Sequence, residues 1–87
     1  MLSLTHAARQ LICNMLGEQD DGLVLRISAS PDGPHIAMDR VRVGDGTFNF
    51  GSRCVLAVDQ MVLRKIAGQT LDVEVVEGRS ALVLVGE

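Results

Sequence analysis

Cys13, Cys54, His6 and His35 are the only cysteines and histidines of this 87-residue chain. Thiolate and imidazole are the groups that hold iron, zinc or an iron–sulfur cluster, so these four are the candidates for metal chemistry. Their spacing suits it badly, because none forms a C-x-x-C, an H-x-x-H or a comparable chelating pair. Cys54 reads as a small buried hydrophobe on a strand, the usual fate of a lone cysteine. Cys13 reads as a half-exposed helix residue, His6 as a surface residue of a first helical turn, and His35 as a solvated loop residue. The remaining reactive types assemble no catalytic pattern. Ser3, Ser28, Ser30, Ser52 and Ser80 include no G-x-S-x-G elbow. Gly44-x-Gly46 is not followed by a helix and reads as a turn, not a phosphate cradle. Asp20-Asp21 reads as a polar connection, and Asp72 with Glu74 as the wet face of a strand. The residues alone assign no catalytic, cofactor-binding or metal site and no cofactor, and the chain reads as a non-enzyme.

Composition narrows the partners. The chain is 47% hydrophobic and 22% charged, the balance of an ordinary globular protein. Net charge is −3, and Phe48 and Phe50 are the only aromatic residues apart from the histidines, which argues against a nucleic-acid partner. No apolar run approaches the roughly 20 residues that span a bilayer, so no membrane partner is expected. No basic start followed by an apolar stretch opens the sequence, and reduced thiols in a cytoplasmic protein are the expectation.

The elements that would position these residues follow from periodicity. Leu2 and Leu4 flank Ser3 in a short strand, and Thr5 is a helix N-cap. Ala7, Ala8, Leu11, Ile12, Met15 and Leu16 recur at offsets of three and four, predicting an amphipathic helix closed by Gly17. Glu18 to Gly22 reads as a polar connection. Leu23, Leu25 and Ile27 alternate with Val24, Arg26 and Ser28, a strand with one apolar face. Ser30 to His35 holds two prolines and a glycine and is expected to stop a strand. Ile36 and Met38 share one parity and Val41 and Val43 the other, which predicts a bulge or bend near Asp39-Arg40. After the turn at Gly44 to Gly46, Phe48 and Phe50 restart an alternation, and Cys54, Leu56 and Val58 face one way on the next strand. Asp59 then caps a short helix that Gly68 stops. Two apolar runs split by Glu77-Gly78 complete a hairpin, expected to hold the core, with Ala81 to Val85 covered on both sides. The expected architecture is one α+β domain over residues 1–87, a sandwich- or half-barrel-like assembly of mixed β-sheet. It holds six or seven strands and two helices.

The order of these elements and several phrases resemble the A-type iron–sulfur carrier family, also called the HesB-like domain. Leu2-Ser3-Leu4-Thr5-His6-Ala7-Ala8 is similar to that family's L-x-L-T-x-x-A start. Gly22-Leu23 through Arg26-Ile27-Ser28 resembles its G-L-R-I strand. Val58-Asp59, Leu63, Gly68 and Leu71-Asp72 resemble its V-D-x-x-x-L-x-x-x-x-G-x-x-I-D segment at the same spacing. The resemblance covers nearly the whole sequence and implies a HesB-like fold with iron–sulfur assembly proteins as partners.

The family's ligands are another matter. The resemblance implies a cysteine in a P-x-G-C-x-G turn, yet the turn here reads Pro31-Asp32-Gly33-Pro34-His35-Ile36, with Pro34 in the cysteine's place. The family's C-x-C-G motif would fall beyond Gly86-Glu87. Two readings of function follow. In the first, the chain keeps the fold, has lost cluster binding and acts through its surfaces, as a homodimer or with iron–sulfur assembly proteins. In the second, it carries iron or a cluster between subunits on Cys54 or Cys13 with His35. A more remote third is a small-molecule binding module in the gap left by the missing cluster segment.

Overall fold

Thr5 fastens the two ends of the chain together. Its Oγ1 accepts from the Ala8 amide at 3.1 Å, capping the helix α1 (His6–Leu16), and donates to Asp72 Oδ1 at 2.9 Å. Its own amide donates to the Leu71 carbonyl at 3.0 Å. The strand β1 (Ser3–Leu4) thus lies parallel to β6 (Thr70–Val76), and α1 starts from that seam. Thr5→Ala removes both side-chain bonds and is expected to cost ~1–2 kcal/mol, read from urea unfolding, whereas Thr5→Ser should restore most of it.

The computed structural model describes residues 2–17 and 22–86. Most of the polar connection expected between Leu16 and Leu23, residues 18–21, lies outside them. The other elements are β2 (Leu23–Ser30), β3 (Gly33–Arg40), β4 (Gly46–Phe50), β5 (Arg53–Val58), α2 (Gln60–Lys65) and β7 (Arg79–Val85). They form two mixed sheets, one in the order β1-β6-β7 and one in the order β3-β2-β5-β4. Among the described residues two helices and two sheets make an α+β fold of the expected kind, and it does not close into a barrel.

The core lies between the sheets. Ala8, Ile12 and Leu16 recur every four residues on α1 and are fully buried, while Met15, expected in the same stripe, is exposed. Against them pack Leu25 and Ile27 of β2, Val55, Leu56 and Val58 of β5, Val62 and Ile66 around α2, and Leu71 of β6. Helix α1 touches β2, β4, β5 and β6, and so joins both sheets. Gly17 ends it at φ 61°, a conformation glycine takes freely, with its amide on the Cys13 carbonyl. Asp59 caps α2, accepting from the Met61 amide at 2.8 Å.

Three expectations change. Ser30 to His35 does not stop a strand: β2 runs to Ser30, Pro31-Asp32 form the whole turn, and β3 starts at Gly33. Proline suits the second position of such a turn, and Pro34 lies on an edge strand, where a missing N–H costs little. The phase slip after Met38 is no bulge, since β2 and β3 pair without a break from Leu23↔Arg40 to Ser30↔Gly33. The chain leaves the sheet at Arg40, and the register shift falls between Phe48 and Asn49 on β4. Finally, the β6–β7 hairpin is not the centre of the core. Its turn has positive φ at both Glu77 and Gly78, the backbone that matches strand twist. Beyond Leu71, however, its residues are half-buried or exposed, and β7 is an uncovered sheet edge.

Candidate functional site

The candidate ligands do not converge. His35 sits on β3 opposite Ser28, while Cys54 is the second residue of β5, two residues before Leu56, which is level with Leu25. That is about five residues along the strands and two strand spacings across, or ~16 Å by ~10 Å. Cys54 is half-buried, with Sγ 3.8 Å from the Leu56 carbonyl oxygen, and Cys13 packs beside the core from α1. His6 is exposed, its ring 5.4 Å from that of Phe50. Among the described residues no three histidine, cysteine or acidic side chains gather as a metal site. On β3, one residue past the start of the strand, Pro34 offers no side-chain ligand. Within one chain these residues do not fit a thiolate-held cluster.

What the fold does bring together is charge. Alternation along β2 turns Leu25 and Ile27 into the core and Arg26 and Ser28 to the opposite, outer face of the four-stranded sheet. There Arg26 is 8% exposed. A buried guanidinium demands carboxylate partners, and Asp45 meets it with two bonds: Nε to Oδ2 at 2.8 Å and Nη2 to Oδ1 at 2.9 Å. The loop after β3 carries Asp45 over the sheet. Its Oδ2 also accepts from the Arg42 amide at 3.0 Å, and its amide donates to the Arg42 carbonyl at 3.0 Å. Gln60 holds the loop from the other side by donating to the Gly44 carbonyl at 2.6 Å. The Arg26 hydrogen bonds hold the Asp45 carboxyl below the usual carboxylate range against the opposing effect of burial, and the same bonds raise the Arg26 pKa. Asp59 Oδ2 stands 3.8 Å from Arg26 Nη2, near enough to attract but too far for a hydrogen bond.

Around this pair lies an open cleft of about 440 Å³. Ser28, Ala29 and Ala37 are its small residues, and Arg26, His35, Asp39, Arg42 and Asp59 its charged and polar ones. Asp39 is held below its ordinary pKa, first by the Arg40 amide, and bonds Arg42 at 3.1 Å. On the core side a second, apolar slot of about 210 Å³ opens between the hairpins and α2, bounded by Pro34, Ile36, Val62, Ile66 and Leu84 among others. Ile36, on its rim, is 52% exposed.

Periodicity places Arg26 on the wet face of its strand and Asp45 in a turn, and it misses both as a buried pair. The signal was an arginine in the middle of an otherwise apolar strand, which can be buried only with a carboxylate from elsewhere.

This α+β arrangement has counterparts among solved structures. It is similar to the crystal structure of Escherichia coli SufA, described as involved in biosynthesis of iron–sulfur clusters. The TM-score is 0.71 with 20% identity, over 98% of this chain and 84% of that one. It is also similar to IscA with a [2Fe–2S] cluster, at a TM-score of 0.68 and 17% identity, over 99% and 85% of the two chains. The likeness read from the sequence is therefore borne out in the fold. No protein-family model and no curated protein matches the chain. No helix of the described residues is long and apolar enough to cross a membrane.

Proposed function

We propose that this chain is a HesB-like protein of iron–sulfur biosynthesis that has given up cluster binding. It acts as a non-catalytic accessory or interaction protein, either as a homodimer or on an iron–sulfur assembly partner. The observation that carries this reading is a disparity. The fold follows SufA and IscA over almost the whole chain, while the position beside the β2–β3 turn that the resemblance gives to a thiolate bears Pro34. The apolar slot with exposed Ile36 and Leu84 on its rim gives such a protein a surface to work with. Residues 1–87 serve this role as one domain.

Anaerobic reconstitution with ferrous iron and sulfide, followed by metal and sulfide quantitation and a visible spectrum, tests the proposal. The expected product is colourless and iron-free. A coloured product holding one cluster per dimer would overturn it and favour the second reading, in which Cys54, Cys13 and His35 meet across a subunit interface. Cys54→Ser should then abolish the colour.

A further inference from the structure

The outer-face cleft holds more polar capacity than the protein itself uses. Among the described residues Ser28 Oγ, the His35 ring and Asp59 Oδ2 take part in no hydrogen bond, and Arg26 Nη1 makes none either. All four residues line the same cavity. Arg26 cannot swing away, because Asp45 grips its Nε and Nη2 edge and leaves the far edge of the guanidinium directed away from that grip. Asp59 is equally fixed, since its other oxygen caps α2. Ala37, opposite Arg26 on β3, is small, which keeps the space above the sheet open.

The signs of these groups select a ligand. A simple anion such as phosphate would be drawn to Arg26 and Arg42 but would meet the Asp59 and Asp39 carboxylates in the same cleft. A simple cation would meet the two guanidinium groups. A molecule bearing both charges a few bonds apart satisfies both sets, because Arg26 Nη2 and Asp59 Oδ2 are themselves 3.8 Å apart. We propose that this cleft binds a free α-amino acid, its carboxylate taken by Arg26 and His35 and its ammonium by Asp59. Ser28 donates to the carboxylate, and the ligand's side chain lies toward the open mouth of the cleft. The site is independent of cluster binding and stands whichever way reconstitution turns out.

The test is a ¹H–¹⁵N correlation titration of the whole chain with glycine, L-alanine, L-serine, L-glutamate and L-lysine. L-Lactate, ethylamine and inorganic phosphate serve as ligands of one sign. At least one amino acid should shift the amides of Ser28, Ala29, His35 and Asp59 saturably, with an affinity at least about tenfold above lactate and ethylamine. Asp59→Asn keeps a good helix cap, so the variant should stay folded while its affinity for the amino acid falls to that for lactate. Three results would overturn the proposal. One is no saturable shift with any of the five amino acids up to about 20 mM, a concentration that detects even millimolar sites. Another is equal binding of lactate or phosphate, the mark of a plain anion site. The third is an Asp59→Asn variant that binds as the parent does.

Discussion

Asp45→Ala is expected to remove about 3–5 kcal/mol of folding stability, the cost of leaving one partner of a buried ion pair without the other. The Asp45 and Arg26 side chains are only 3% and 9% exposed, so losing the carboxylate leaves a largely desolvated guanidinium without its partner. Two hydrogen bonds to the guanidinium go at once, along with the bond that closes the loop on the Arg42 amide. Urea unfolding reads the loss as a lower midpoint. The double replacement Arg26→Met with Asp45→Leu is expected to recover much of it, because the desolvation of both charges disappears together. A single variant no less stable than the parent would mean that the pair contributes nothing. Acid reads the same interaction. Asp45 has a depressed folded-state pKa, so its contribution is complete above the unfolded-state value of about 3.9 and fades as pH falls through the lower folded value. Midpoints should therefore hold level from neutral pH down to about pH 5 and drop below about pH 4, with a shallower drop in the double variant.

Leu56→Ala should cost a comparable amount, ~2–5 kcal/mol, and lower the melting temperature by roughly 10 °C or more in a domain of this size. Leu56 is fully buried and lies on β5 between β2 and β4, facing α1. Its removal opens a cavity walled by both a helix and neighbouring strands, which cannot collapse onto it. Leu84→Ala is the control, an apolar strand residue of the same type that is 44% exposed on an edge strand. It should cost under about 1 kcal/mol, since only part of the side chain leaves water on folding. Equal losses at the two positions would place the core in the final hairpin after all.

That contrast marks where sequence reading works and where it fails. The helices were legible because their signals are local. Thr5 and Asp59 accept from amides two or three residues on, Gly17 supplies a positive φ, and Ala8, Ile12 and Leu16 recur at the helical period. The hairpin at Pro31-Asp32 was obscured by reading proline as a breaker, although at the second turn position and on a sheet edge it breaks nothing. Burial of β7 was misjudged for a different reason. Ala81 to Val85 is apolar on both faces, but apolarity cannot say whether anything lies on either side of it.

The candidate site divides in the same way. Composition and spacing determined that the soft ligands are few and badly spaced, and the resemblance of several phrases to a known family implied a HesB-like order of elements with Pro34 in the expected thiolate position. These are properties of residue type and of neighbours in the chain. Only the tertiary structure decided that Arg26 is buried, that Asp45 arrives to neutralise it, and that Ser28, His35 and Asp59 share a cleft with it. It also decided that His35 and Cys54 lie far apart. An ion pair between β2 and a loop 19 residues on has no local signature. It forms because the loop between β3 and β4 crosses the outer face of the sheet, where a buried guanidinium needs a carboxylate.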